Sequence, residues 1–307
     1  MKILFVLSRD VIFFHGSGEV EAKILQVGLQ LLGHECHIAG LDSGDFFDYD
    51  TYFFFSMRPD VLDMLRKTPQ LKSCVVIPQM DDLNAVMVAD LNQCSQHLDT
   101  LAIVGRNHNE VDRLNSLFPG RRCLLVQAWF LKPFIHEEKL AIEYSDKHAG
   151  YCLSMTSVDR DSGLPRMAAT CREVGVRLHV VSDRPDEHRQ RLAGVEGVTL
   201  LNFETYGSLQ WYMRLENCSS LYEPNPRLTT SILEALWMGK TVYSPHAEYI
   251  NTVLGANLIS VIFDRERQLD QHAPVPNISE TKQVIYRYHA NFVAESILNS
   301  VGGNVHV

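Results

Sequence analysis

The sequence predicts an α/β protein made of two doubly wound parallel sheets. Three observations carry that reading. Short, nearly all-apolar runs recur along the chain, as expected of strands buried on both faces of a parallel sheet. Between them lie segments with one apolar stripe at helical spacing. The alternation also occurs twice, because the apolar rhythm fails between Phe130 and Gly150, where Lys132-Pro133 and Ser145-Asp146-Lys147-His148 read as a connector. A chain of 307 residues suits two domains at roughly 150 residues each.

The first set of strands is Ile3–Leu7, Cys36–Ala39, Thr51–Phe55, Cys74–Ile77, Leu101–Val104 and Cys123–Val126. A helix is expected over Glu19–Leu32, with Val20, Ile24, Val27 and Leu31 on one stripe and Gly33 in the C-terminal capping position. Asn107 is placed to cap Glu110–Leu117, which Pro119-Gly120 ends. The second set begins with strand Tyr151–Ser154. A helix near Pro165–Val174, strand Leu178–Ser182, helix Pro185–Leu192 and strand Val198–Leu201 follow. Helix Tyr206–Leu215, strand Ser220–Tyr222, helix Thr230–Met238, strand Thr241–Tyr243, helix His246–Leu254 and strand Leu258–Phe263 complete it. Asp264–Ile278 reads as a loop. A last helix, Glu280–Ser300, has no strand after it and must pack on something already built.

Composition excludes several classes. With 46% apolar and 21% charged residues the chain is not a disordered one. Its 28 Lys and Arg against 37 Asp and Glu, net charge −9, disfavour a protein whose main task is coating nucleic acid. No segment has the ~18 apolar residues of a membrane span, and Arg9-Asp10 interrupts the opening apolar run too soon for a signal peptide. Seven dispersed cysteines without a C-x-x-C pair read as reduced thiols, so the expectation is a cytoplasmic protein. Thirteen histidines show no H-E-x-x-H spacing, and no metal site is expected.

Four segments have the residue types for chemistry. His15-Gly16-Ser17-Gly18-Glu19 joins the first strand to the first helix, where glycines let a ligand approach the backbone and a helix start offers N–H groups to an anion. It lacks the spacing of a dinucleotide fingerprint, because seven residues separate it from the strand and Glu21 holds the third glycine position. An ordinary turn would read the same way. In Tyr222-Glu223-Pro224-Asn225-Pro226-Arg227-Leu228-Thr229-Thr230-Ser231-Ile232-Leu233-Glu234, a polar loop enters a helix whose first turn holds hydroxyls, a suitable cradle for a diphosphate. Glu234, one turn in, is placed for ribose hydroxyls, while Ser231-x-x-Glu234 equally fits a capping box that needs no ligand. The loop Ser154–Arg166 supplies Arg160 and Arg166 for phosphate, or is a solvated loop in which Arg160 pairs with Asp159 or Asp161. Finally, Asp81-Asp82 follows a strand, where one carboxylate points to a general base and the other to an N-cap.

These segments together resemble glycosyltransferases of the GT-B fold, in which two Rossmann-like domains face each other across a cleft, and in outline the retaining group 1 family. Gly16-Ser17-Gly18-Glu19 with Gly33-His34-Glu35-Cys36 is similar to that family's glycine-rich loop and "GHEV" strand entry. Ile232-Leu233-Glu234-Ala235-Leu236 with Gly239-Lys240-Thr241-Val242 is similar to its "lEAma-x-G-x-PVV" signature, and Leu178–Ser182 to its "L-x-I-V-G" strand. The resemblance implies an acceptor-side domain over residues 1–145, a nucleotide-sugar domain over 146–279, and a final helix, 280–307, crossing back to the first domain. It implies Glu234 at the donor ribose, Thr229, Thr230 and Ser231 at the diphosphate, and Gly16–Gly18 beside donor and acceptor.

The chain departs from the pattern at two places. Pro226 stands eight residues before Glu234, where the family has a glutamate, and Glu223 is three residues out of register. Ser162-Gly163 stands where Lys-Gly is expected, leaving Arg160 or Arg166 to compensate. A second resemblance is to phage DNA beta-glucosyltransferases, through Asp81, Arg160 with Arg166, and Glu234.

The resulting expectation is transfer of a sugar from a UDP- or GDP-sugar, a co-substrate and not a tightly bound cofactor, to an acceptor hydroxyl on a glycan, small molecule or modified DNA base. Asp81 and Glu19 are the candidate catalytic carboxylates. A phage-type DNA base glucosyltransferase with Asp81 as base, a silent GT-B scaffold and a nucleotide-sugar epimerase are the alternatives.

Overall fold

A computed structural model describes residues 1–7, 17–40, 48–68, 70–78, 84–131, 151–155, 163–173, 175–182, 185–192, 194–202, 209–261 and 277–301. The chain divides into two compact units, Met1–Phe130 with Tyr288–Val307, and Leu131–Arg287.

The first unit holds β1 (Lys2–Leu7), α1 (Ser17–Leu31), β2 (Glu35–Gly40), β3 (Thr51–Phe54), α2 (Pro59–Lys67), β4 (Ser73–Val76), α3 (Ala85–Cys94), β5 (Thr100–Gly105), α4 (His108–Leu117) and β6 (Arg122–Leu125). Its six strands run parallel in the order β2-β1-β3-β4-β5-β6. The central strands are apolar on both sides because helices cover both faces: Ile3, Phe5, Phe53, Val75 and Ala102 are fully buried. Helix α2 is not read from the sequence, and α3 only as the helix that Asp82 would cap. The first starts at Pro59, the favoured residue for a first helical position, and buries Val61, Leu62, Met64 and Leu65. The second is capped by Asn84, whose side chain accepts the N–H groups of Val86 and Met87; the cap expected at Asp82 is therefore two residues early. On α4 Asn107 is the cap, as expected, accepting the Glu110 N–H at 2.8 Å.

Helix α1 buries Val20 and Ile24 of the expected stripe but differs in the rest. Ala22, Leu25 and Leu29 are fully buried, whereas Leu31 is 57% exposed. The reason lies 260 residues further on. The helix expected over Glu280–Ser300 is two helices, α10 (Ile278–Ile285) and α11 (Ala290–Val301), separated by a 3-10 turn at Tyr286–Tyr288. Helix α11 packs on α1 as well as on β4 and β5, so α1 is covered from two sides and its stripe is wider than one period suggests. The approach is close at Gly28, where a Cβ would lie 2.8 Å from the Ala290 backbone carbonyl. Phe130 fixes the start of α11 by donating its N–H to the Tyr288 carbonyl and accepting the Ala290 N–H.

The second unit holds β7 (Tyr151–Met155), α5 (Leu164–Glu173), β8 (Arg177–Ser182), α6 (Pro185–Arg191), β9 (Val198–Asn202), α7 (Leu209–Asn217), β10 (Ser220–Tyr222), α8 (Thr230–Trp237), β11 (Thr241–Ser244), α9 (Ala247–Leu254) and β12 (Ile259–Val261). These strands are also all parallel, in the order β12-β11-β10-β7-β8-β9. Helix α10 closes over α8, with Lys282 above the Trp237 ring at 5.2 Å and Tyr286 stacked on it at 6.2 Å.

In each sheet the chain winds first to one side of its opening strand and then to the other. The reversal falls between β1 and β3 in the first unit and between β7 and β10 in the second. Open α/β sheets bind ligands outside the carboxyl ends of the strands at such a switch point. Among the described residues no helix is long and apolar enough to cross a membrane, and all seven cysteines are free thiols.

Candidate functional site

In the second unit the switch point places two hydroxyls side by side. Strands β7 and β10 pair with Cys152 opposite Ser220 and Ser154 opposite Tyr222. Ser154 and Tyr222 therefore share the carboxyl edge, on the face that α5 covers, where Tyr222 packs with Cys152, Leu164 and Met167. Both residues are fully buried, and neither Ser154 Oγ nor Tyr222 Oη has a hydrogen-bond partner among the described residues. Buried hydroxyls are nearly always paired, so these two, without a partner among the described residues, are candidates to receive a polar group.

The start of α5 lies over this pair. Gly163 caps the helix, its carbonyl accepting the Met167 N–H at 2.8 Å. Its backbone is left-handed, φ +100°, and a Cβ there would lie 2.5 Å from Tyr222 Oη, so only glycine fits on both counts. Burial, then the neighbouring Glu223 and Cys152, push the Tyr222 hydroxyl up to about 12, against the lowering effect of Arg166. The phenol thus stays a proton donor through the neutral range. A helix start and a protonated phenol meet here, and the exposed Arg166 guanidinium is near enough to act on the phenol electrostatically, a combination suited to a phosphate oxygen. Arg160 lies outside the described residues.

The loop between β10 and α8 is organised around a different carboxylate from the one the sequence points to. Glu223, 4% exposed, accepts the Asn225 N–H at 3.0 Å, the Thr229 hydroxyl at 3.0 Å and the Ser231 hydroxyl at 2.7 Å. Thr229 is the N-cap of α8, its side-chain oxygen accepting the Ile232 N–H. The Thr229 and Ser231 hydroxyls both reach Glu223 and lie 2.8 Å from each other, so they are engaged within the loop and leave a ligand mainly the backbone of this turn. Thr230, also in this first turn, is 8% exposed.

No capping box forms between Ser231 and Glu234. Glu234 is fully buried and turns to α7, where its carboxylate accepts Trp211 Nε1–H at 2.6 Å and the Tyr212 hydroxyl at 3.1 Å. Burial pushes its carboxyl up to about 7, against the lowering effect of these two donors. In this arrangement Glu234 ties α8 to α7 and meets no solvent. The sequence separates it from Trp211 by 23 residues, so no local motif announces the pairing.

In the first unit, Ser17 and Gly18 open α1 and Glu19 is half-buried in its first turn, while Gly16 and Asp81 lie outside the described residues. The carboxyl edge carries instead a residue not singled out by the sequence. Arg106, immediately after β5, pairs through Nη2 with Glu21 on α1 and lies 4.1 Å above the Trp129 ring. Trp129 Nε1–H donates to the Glu21 carbonyl at 2.9 Å, and the Arg106 N–H donates to the Glu110 carboxylate at 2.8 Å. Its only sequence signal is a lone cation at the end of an apolar strand. Among the described residues no group of His, Cys, Asp and Glu is arranged to hold a metal ion.

No family model and no curated protein matches the chain. Solved structures do. The glycosyltransferase AviGT4, involved in avilamycin A biosynthesis, is 13% identical with a TM-score of 0.63, over 97% of this chain and 96% of its own. The T4 phage beta-glucosyltransferase with its UDP-glucose substrate is 10% identical with a TM-score of 0.54, over 98% and 96%. UDP-GlcNAc 2-epimerase from Neisseria meningitidis, bound to UDP-GlcNAc, is 10% identical with a TM-score of 0.52, over 98% and 99%. At such identities the likeness concerns architecture, and the chain has the GT-B fold.

Proposed function

We propose that this protein is a glycosyltransferase that uses a nucleotide-sugar donor. The observation that carries the reading is the pair of buried hydroxyls, Ser154 and Tyr222, without a partner among the described residues, at the switch point of the second sheet beneath the start of α5, in a chain of GT-B fold. In this reading the second unit holds the donor. Its diphosphate lies against the α5 start, Tyr222 and Arg166, with Arg160 as a further cation, and is shared with the first turn of α8 at Thr229, Thr230 and Ser231. Glu234 holds α8 against α7 and so positions that turn behind the ribose. The solved structures of similar fold that carry a UDP-sugar favour a UDP donor over a GDP donor.

The first unit supplies the acceptor side, with the Gly16-Ser17-Gly18 segment and Glu19 at the start of α1. In the reaction an acceptor hydroxyl oxygen bonds to the anomeric carbon. The bond from that carbon to the diphosphate oxygen breaks, and the nucleoside diphosphate leaves with the electron pair. The acceptor proton goes to Asp81 in an inverting transfer, or to an oxygen of the leaving diphosphate in a retaining one. A second reading, epimerisation of the nucleotide-sugar itself, is favoured by the epimerase among the structures of similar fold.

The test is a thermal-shift panel with UDP, GDP, ADP, dTDP and CMP and their sugar conjugates, followed by transfer assays with glycan, small-molecule and hydroxymethylated DNA acceptors. At ~100-fold saturation a ligand specific for the native state adds about 2.7 kcal/mol. The expected result is a shift with UDP and UDP-sugars, then acceptor-dependent release of UDP. Conversion of the sugar without any acceptor would select the epimerase. Silence with every nucleotide would overturn both readings and leave a binding scaffold.

A further inference from the structure

The first unit contains a guanidinium that is only half paired among the described residues. The Arg106 side chain is 9% exposed, and its two terminal nitrogens fare differently. Nη2 is paired with Glu21, whereas Nη1 is buried and has no partner among the described residues. A buried N–H group of a charged side chain without an acceptor is costly, and native structures seldom leave one unless something else completes it. Nor is Arg106 free to swing out and find water. Trp129 stacks on it at 4.1 Å, Trp129 is itself anchored through Nε1 to the Glu21 carbonyl, and Glu21 holds the other end of the fork. The group is rigid before any ligand arrives.

Its place in the fold matters as much as its chemistry. Arg106 follows β5 at the carboxyl edge of the sheet, and its partner Glu21 stands in the opening turns of α1, the helix that leaves β1 at the switch point between β1 and β3. The positive end of the α1 dipole adds to the guanidinium there. Arginine is the side chain suited to oxyanions, with a planar fork matched to carboxylate and phosphate oxygens.

We infer that Arg106 Nη1 is the recognition point for an oxyanion, a phosphate or a carboxylate, bound at the carboxyl edge of the first sheet. In the transfer reading above this oxyanion belongs to the acceptor, which makes the acceptor an anionic molecule; that assignment rests on the reading, whereas the oxyanion site itself does not. Glu21 is the built-in competitor. It neutralises the guanidinium when the site is empty and repels an incoming anion, so removing its charge and keeping its shape strengthens binding.

The experiment measures inorganic phosphate and acetate binding by titration calorimetry on the full chain, with and without saturating UDP, for wild type, Arg106→Gln and Glu21→Gln. Phosphate and acetate separate the two oxyanion sources. With UDP saturating, wild type is expected to bind one of them saturably at one site per chain, and this site persists when UDP is left out. Arg106→Gln should weaken that binding roughly 10- to 100-fold, as loss of a charge-assisted hydrogen bond predicts. Glu21→Gln should tighten it severalfold, an effect that a purely structural Arg106–Glu21 pair does not produce. Circular dichroism on both variants checks folding, and the double variant Arg106→Gln with Glu21→Gln restores charge balance if Arg106→Gln alone fails to fold. Absence of saturable binding to wild type, or equal affinities in all variants, overturns the proposal. If UDP does not bind while phosphate still binds through Arg106, the donor reading falls and this one stands.

Discussion

Glu234 offers the sharpest test of the physical reasoning, because its burial and its two donors pull in opposite directions. With no solvent exposure its carboxyl rises from the ordinary 4.5 to about 7, even though Trp211 and Tyr212 both donate to it. The folded state therefore holds a proton that the unfolded chain gives up between these two values. In that window the unfolded state binds fewer protons, so stability falls as pH rises, and the loss is complete above about pH 7. At about 1.4 kcal/mol per pH unit, the ionised form carries a penalty of about 3 kcal/mol. Glu234→Gln keeps the shape and one carbonyl oxygen for Trp211 Nε1–H, and it never ionises. Urea unfolding of both proteins between about pH 5 and pH 8 should show the Gln variant gaining on wild type by up to ~3 kcal/mol, with the difference flat above pH 7. In thermal melts that is roughly 6 to 12 °C for a unit of this size. A difference independent of pH, or a wild type that gains stability as pH rises, would refute the claim that burial outweighs the two hydrogen bonds.

Tyr222→Phe removes a hydroxyl that has no partner among the described residues, so the melting temperature should stay within a degree or two while UDP-sugar affinity drops about tenfold, read by calorimetry. An unchanged affinity would dissociate the β7–β10 switch point from the donor. Gly28→Val forces a side chain into the Ala290 backbone, which lies 2.8 Å from where a Cβ would stand, and should cost about 3 kcal/mol or more in chemical denaturation. Thr229→Ala removes the α8 cap and one of the donors to Glu223, an expected loss of about 1 to 2 kcal/mol; a neutral result would mean that Ser231 alone holds the loop.

What the sequence revealed and what it hid follow the range of the forces involved. The parallel strands were legible because burial on both faces leaves runs such as Phe5-Val6-Leu7 and Val75-Val76-Ile77 with hardly a polar residue. Asn107 was legible because capping acts within one turn. Helix α2 escaped because its stripe is short, and the last helix looked continuous because nothing in its local pattern marks the turn at Tyr286–Tyr288, which Phe130 fixes from far away. The same distance effect governs the candidate site. Ser154 and Tyr222 become neighbours only when β10 is laid beside β7, and the Ser231-x-x-Glu234 pattern invited a local reading that Trp211 and Tyr212 override. Arg106 shows the limit most plainly, since its meaning depends on α1, β5 and Trp129 at once.

The packing of α11 on α1 has a consequence for the order of events at the ribosome. The second unit is one unbroken stretch of chain, Leu131–Arg287, and holds every strand and helix of its own sheet. The first unit is synthesised earlier, yet the helix that packs on α1 at Gly28 and on β4 and β5 is made after the whole second unit has emerged. Until then a nascent first unit exposes an apolar strip on α1 that has no cover from its own earlier sequence. The later-made unit is thus positioned to finish first, with the earlier one waiting for Ala290–Val301, an inversion of the usual amino-to-carboxyl order that makes α1 the natural point of chaperone engagement during synthesis.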